Sequence, residues 1–241
     1  SKGKAVLALK DVNLPVERGS FTTQTGPSGS GKSTLLKLIA GIALPYEGRM
    51  RYKDREITSI NTDIGFVTQD SNLFPWLTLI QNVELALKIR GVARDQRKRT
   101  AQKYIDTMQL SGFESHYPFE LSGGMQKRGS IIRTLIYDPE IILMDEPFGP
   151  LDAQTRMVLQ DELLRIWDSN KKTILFVTHD LTEAIALSDK VVLFTSRPGT
   201  VKRVFDVPLA RPRNVFEIHN EKGFTEIYHE IWQYFKNEIT I

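Results

Sequence analysis

Eight residues limit the architecture of this chain more than any others: Gly26-Pro27-Ser28-Gly29-Ser30-Gly31-Lys32-Ser33. They fit the pattern G-x-x-x-x-G-K-[ST]. Ser20–Thr25 before them reads as a strand, and Lys32–Ala40 after them reads as a helix that stops at Gly41. The three glycines let the backbone bend until successive N–H groups point at one anion, and the helix adds the positive end of its dipole. On this reading Gly26, Pro27, Ser28, Gly29, Ser30, Gly31, Lys32, Ser33 and Thr34 bind a nucleoside triphosphate. Lys32 reaches the β- and γ-phosphates, and the Ser33 hydroxyl binds Mg²⁺. The plainer reading, a Gly/Ser-rich turn, does not account for a strand on one side and a helix on the other.

Ile141–Met144, Thr173–Thr178 and Lys190–Thr195 are short apolar runs of the kind buried on both faces of a parallel sheet. Ala153–Asp168 and Leu181–Leu187 read as helices between them. Strands alternating with helices predict an α/β fold. Val6–Val16 alternates loosely and is expected to form an early strand, with Gly48–Tyr52 and Ile64–Thr68 as two more. Leu85–Leu110 and Gln126–Tyr137 are expected to be helical. Pro198-Gly199 reads as a hairpin turn into Val201–Val207, and Ile227, Ile231 and Tyr234/Phe235 predict an amphipathic helix in the tail.

Composition removes several alternatives. Of 241 residues, 41% are hydrophobic and 25% charged, enough for a globular core. A net charge of +3 from 32 basic and 29 acidic residues is no nucleic-acid footprint, and no nucleic-acid partner is expected. The absence of cysteine excludes disulfides, thiolate metal sites and a Cys nucleophile. No apolar run approaches the roughly 20 residues that span a bilayer, so any membrane role is expected to come through a partner.

Two further strings carry chemistry. Asp145-Glu146 ends an apolar strand, where adjacent acids are costly to bury without a cation or a shared proton. Asp145 is expected to hold Mg²⁺ through water, and Glu146 to polarise the attacking water as general base. A solvated strand end is the plainer account, and the glycine loop upstream counts against it. Leu121-Ser122-Gly123-Gly124-Met125-Gln126 combines a hydroxyl, two glycines and a helix start, another anion-binding design. It is also a helix cap, and both descriptions hold together.

With these strings in this order, the chain resembles the ATP-binding cassette family from about Val6 to Val207. The resemblance implies a P-loop NTPase (RecA-like) core with an antiparallel β subdomain and an inserted helical subdomain. Residues 1–71 and 139–207 would form the core, 72–138 the helical part with the signature loop, and 208–241 a helical tail. It further implies that Gln69 contacts the metal and the attacking water, so that Ser33, Gln69 and Asp145 surround Mg²⁺. Asp152, in Gly149-Pro150-Leu151-Asp152, matches the loop that crosses between subunits, and His179 matches the switch histidine near the γ-phosphate. Catalysis then falls to Glu146, His179 and Gln69, and Ser122, Gly123, Gly124 and Asp152 act on the nucleotide of a second copy.

Leu73-Phe74-Pro75-Trp76-Leu77-Thr78, Asp145-Glu146-Pro147-Phe148-Gly149 and Ser196-Arg197-Pro198-Gly199 are similar to the importer subgroup for nitrate, sulfonates, taurine and related solutes. The subgroup implies permease subunits docking near Phe74, Pro75 and Trp76, an indirect solute-binding protein, and a peripheral location on the cytoplasmic face of the cell membrane. Packing of these aromatics inside the helical part is the competing expectation. Three strings depart from the family. Residues 1–5 contain no aromatic to stack on adenine, Thr22-Thr23-Gln24-Thr25 is polar for a buried strand, and Gln126-Lys127-Arg128-Gly129 varies the start of the signature helix. Two rival functions remain: a soluble cassette ATPase uncoupled from transport, and a P-loop kinase or GTPase in which Leu121–Gly124 and His179 are accidental.

Overall fold

A computed structural model describes residues 6–238; Ser1–Ala5, where the adenine-stacking aromatic was sought, lie outside them. Six strands form one sheet in the order β4-β5-β6-β1-β7-β8. They are β1 (Phe21–Thr25), β4 (Ile64–Val67), β5 (Ile141–Asp145), β6 (Thr173–Val177), β7 (Lys190–Phe194) and β8 (Val201–Asp206). All neighbours are parallel except β7 and β8, which are antiparallel, as a hairpin turn at Pro198-Gly199 requires. A separate antiparallel ribbon pairs β2 (Arg51–Tyr52) with β3 (Arg55–Glu56).

The strand residues sort by parity, as the two-residue period dictates. Phe21, Ile142, Met144, Ile174 and Phe176 enter the larger core, and Phe21 sets its ring 5.8 Å from both Trp167 and Phe176. Leu143, Leu175 and Val177 point the other way, onto Leu36 of α1 (Lys32–Ile39). The larger core is closed by α2 (Leu79–Ile89), α3 (Arg94–Thr107), α4 (Gly123–Leu135) and α5 (Ala153–Asn170). A second core joins α6 (Leu181–Leu187), β7, β8 and α7 (Phe224–Phe235), where Ile227, Ile231 and Phe235 form the buried stripe read from the tail.

The structure corrects or refines several expectations. Val6–Val16 is not a strand. Only Leu9 bridges to Gly199, through Lys10 N–H to Gly199 O (3.0 Å) and Gly199 N–H to Ala8 O (2.9 Å). Asp11 then turns into the left-handed region (φ 49°) and Pro15 has no N–H to donate, so no ladder can extend. Leu85–Leu110 is helical but divided between two helices: Gly91 takes φ 76° and ends α2, and α3 restarts after Ala93. The helix expected at Gln126 begins earlier, at Gly123, because Ser122 caps it: its Oγ accepts from Met125 N–H at 3.3 Å. Phe74 and Trp76 do not pack inside the helical part either. Their rings lie 5.3 Å apart, and Trp76 is 69% exposed.

Candidate nucleotide site

The strand order places the carboxyl ends of β4, β5, β6 and β1 side by side. Those ends carry Gln69, Asp145-Glu146, His179 and the glycine loop, distant in sequence. Ligands of open α/β sheets bind at such carboxyl ends.

The glycine loop is built by its backbone. Gly26 (φ 147°) leaves no room for a side chain, since a Cβ there would lie 2.7 Å from Phe194 O. Gly31 (φ 89°) is the N-cap of α1, and a Cβ there would meet Leu9 Cδ2 at 2.7 Å. Beneath the loop, Lys32 Nζ donates to Gly26 O (2.9 Å), Pro27 O (2.8 Å) and Ser30 Oγ (2.9 Å). Burial pulls this ammonium below the usual lysine range, and Glu146 and Asp145 push it back up. Ser28, Gly29 and Ser33 are exposed, as a phosphate cradle requires.

Ser33 Oγ donates to Asp145 Oδ1 at 2.8 Å, so two of the three expected Mg²⁺ ligands are already together. Burial raises the Asp145 carboxyl above its usual range; the Ser33 hydrogen bond lowers it and the Glu146 charge raises it. A hydroxyl beside a half-buried carboxylate that is costly to ionise is a donor set suited to a hard divalent cation, which takes its remaining ligands from phosphate and water.

Glu146 has φ 43°, a left-handed conformation uncommon outside glycine, and its N–H is held by Val177 O at 3.0 Å. His179 Nδ1 stands 3.3 Å from Glu146 Oε2. Gln69 joins them: a Cβ at Gly149 would lie 3.7 Å from Gln69 Nε2 and 3.8 Å from Glu146 Oε2. Glu146 therefore stands beside His179, with the Gln69 amide near Gly149 on the same side.

Ser122, Gly123, Gly124 and Asp152 stand apart. Among the described residues, no hydrogen bond or ion pair joins them to residues 26–34. Ser122 and Gly123 are exposed, and a Cβ at Gly123 would meet nothing within 4 Å. Asp152 caps α5, accepting from Thr155 N–H at 2.9 Å, and that bond with the Thr155 hydroxyl holds its carboxyl below the usual range.

Two features escaped the sequence reading. Glu183 is buried in α6 and accepts from Gln160 Nε2 at 2.7 Å; burial pushes its carboxyl up to about 7. It lines a small cavity with Glu146, Phe148, Arg156 and His179. Lys127, noted only as a departure, is 2% exposed and donates to Thr68 O (2.5 Å) and Gln69 O (2.9 Å), with its ammonium pulled by burial down to about 8. Its spacing from Ile131 and Thr134 puts it on the inward face of α4, the one signal that pointed to burial.

The model of the family described as ABC transporter matches residues 9–149. The chain belongs to the ABC transporter family. This cassette is 46% identical over 237 residues to an uncharacterized ABC transporter ATP-binding protein of Methanocaldococcus jannaschii, covering 98% of this chain and 87% of the relative. It is 42% identical to the aliphatic sulfonates import ATP-binding protein SsuB of Bacillus cereus, over 96% of this chain and 89% of that protein. With the nitrate import ATP-binding protein NrtD of a Synechocystis strain it shares 42% identity, over 95% of this chain and 88% of the other. Among solved structures, the dimeric post-hydrolysis state of the cassette MJ0796 bound to ADP and Pi matches with a TM-score of 0.75 and 34% identity, covering 86% of this chain and 94% of that one. The cassette is an ATP-binding ATPase subunit on an α/β P-loop fold, and the kinase, GTPase and uncoupled readings give way. Among the described residues no helix is long and apolar enough to cross a membrane.

Proposed function

We propose that two copies of this cassette close head to tail around ATP, and that closure and opening drive the import of a small solute through separate permease subunits. The observation that carries this is the division of the anion-binding groups. The glycine loop with Ser33, Asp145, Glu146, His179 and Gln69 forms one group, while the exposed Ser122 and Gly123, the half-buried Gly124 at the start of α4, and Asp152 make no hydrogen bond to it among the described residues. A second copy supplies the missing half, in keeping with the dimeric state of the MJ0796 cassette.

In this reading Gly26–Thr34 bind the phosphates, and Lys32 leaves its loop carbonyls for the β- and γ-oxygens. Ser33, Gln69 and Asp145 hold Mg²⁺, which when bound neutralises charge on the β- and γ-phosphates. Glu146 takes the proton of the attacking water, and His179, at 3.3 Å, orients that carboxylate and reads the γ-phosphate. Loss of the γ-phosphate removes the contact with the partner's signature loop and the dimer opens.

Residues 1–71 and 139–207 serve as the catalytic core, 72–138 as the helical part that carries the signature loop and the permease contact, and 208–241 as the tail. Exposed Phe74, Pro75 and Trp76 receive the permease, and a solute-binding protein acts through it. The cassette then sits peripherally on the cytoplasmic face of the membrane. The SsuB and NrtD relatives favour a small oxyanion as solute. The test is Glu146→Gln with ATP and Mg²⁺ on a size-exclusion column. The variant should elute as a dimer with ATP and as a monomer without it, and a monomer in both refutes the head-to-tail reading.

A further inference from the structure

Residues 68–72 run from the end of β4 towards Phe74, and all five of their backbone carbonyls are claimed. Lys127 takes Thr68 O and Gln69 O, at 2.5 and 2.9 Å. Thr68 Oγ1 donates to Asp70 O at 2.9 Å. Arg133 takes Ser71 O (3.5 Å) and Asn72 O (2.8 Å), and its guanidinium lies 5.5 Å from the Phe74 ring centroid. In addition, Ser71 Oγ donates to Gln126 Oε1 at 3.1 Å, while the Gln126 amide donates to Pro118 O and Leu121 O. Gln126, Lys127 and Arg133 all belong to α4, the helix that Ser122 caps.

A buried ammonium is costly, and Lys127 makes no ion pair among the described residues. Its hydrogen bonds go to backbone carbonyls, which any side-chain sequence at 68 and 69 would present. What they secure is the place of that backbone relative to α4. The segment carrying Gln69 cannot shift without either breaking both bonds or taking the signature helix with it.

We propose that Lys127 is a positioning residue for hydrolysis: it locks the Gln69 backbone to the signature helix, so that Gln69 in one site and Ser122-Gly123-Gly124 facing the other move as one body. The proposal rests on the reading of Gln69 given above. It requires that loss of Lys127 spare ATP binding at the glycine loop, which Lys127 does not touch, and impair turnover.

The experiment measures steady-state ATP hydrolysis by the full chain for Lys127→Met, Lys127→Arg, Gln69→Ala and the Lys127→Met/Gln69→Ala double variant, with the folded fraction of each taken from circular dichroism at the assay temperature. A misplaced catalytic group costs up to about 10²-fold in rate. Lys127→Met should therefore lower kcat by about ten- to a hundredfold with KM for ATP within about threefold of the parent. Lys127→Arg, which keeps the donors, should restore most of kcat, and Lys127→Met should add little to Gln69→Ala, because both act through one group. Should Lys127→Met not fold, Lys127→Gln, which keeps one donor, is read by the same criteria. An unchanged kcat in Lys127→Met beside an impaired Gln69→Ala overturns this proposal alone. An unchanged kcat in Gln69→Ala overturns the reading of Gln69 and this proposal with it. A fall in kcat that matches the unfolded fraction, or additive losses in the double variant, also overturn it.

Discussion

His179 Nδ1 stands 3.3 Å from Oε2 of Glu146, although 32 residues lie between them in the chain. β5 and β6 are adjacent and parallel, with Asp145 opposite Val177, so the residues that follow each strand emerge together. Glu146 is the more enclosed partner and His179 the more exposed, which suits a base held in place and a sensor open to the nucleotide.

The pair should act as a unit. Glu146→Gln is expected to lose about 10²–10⁴-fold in hydrolysis while keeping ATP binding. If His179 works by orienting that carboxylate, His179→Ala in the Glu146→Gln background should cost little more than Glu146→Gln alone. Single-turnover hydrolysis of the two single variants and the double variant checks this, and multiplied losses would separate their roles.

The two halves of the site should complement each other across copies. Ser122→Arg subunits retain an intact glycine loop, and Lys32→Ala subunits retain an intact signature loop. A mixture can assemble one composite site with both groups present, so it should trap ATP and dimerise partially where neither variant does alone. Filter-binding of labelled ATP and size exclusion of the mixture make the measurement; behaviour equal to the sum of the parts goes against the shared site.

Trp76→Ala should leave the isolated cassette folded, because Trp76 is 69% exposed and its ring contact is with Phe74, itself 37% exposed. Stability should change by no more than about 0.5 kcal/mol, the usual range for surface substitutions. Binding to the reconstituted permease should weaken by on the order of 2 kcal/mol, a hot-spot loss. Calorimetric unfolding and co-elution with the permease distinguish the two effects, and an unfolded variant would return Trp76 to the core.

Glu183 gives a pH dependence whose sign can be worked out. Its carboxyl titrates at about 7 in the folded chain against a usual 4.5, chiefly through burial; the Thr178 and Gln160 hydrogen bonds and the Arg156 charge pull it down, and Asp180 pushes it up. Between those values the folded state binds more protons than the unfolded one, so stability falls as pH rises from about 4.5 to about 7 and is level above. The full effect is about 3 kcal/mol at 1.36 per unit. Glu183→Gln removes it. Between pH 5 and pH 8 the urea midpoint of the parent should therefore fall more than that of the variant, and parallel curves would show that Glu183 stays ionised.

Much of the site was legible because its parts are local. A glycine loop between strand and helix, two acids closing an apolar strand and a hydroxyl before two glycines each follow from short-range chemistry in the chain itself, and the structure has a strand, loop or helix start at each of those places. So do the buried strands Ile141–Asp145, Thr173–Val177 and Lys190–Phe194, whose apolar runs have no other use. What only the tertiary structure decided is long-range. The order β4-β5-β6-β1 comes from backbone pairing between segments far apart in the chain, and it sets the strand ends that carry Gln69, Glu146 and His179 beside the one that carries the glycine loop. Val6–Val16 had the alternation of a strand but only one residue with a partner, since a strand exists only where a neighbour accepts its hydrogen bonds. Lys127 had the composition of a surface residue. Its spacing from Ile131 and Thr134 marks the inward face of α4, but only the tertiary packing brings the carbonyls of Thr68 and Gln69 against that face to receive its ammonium.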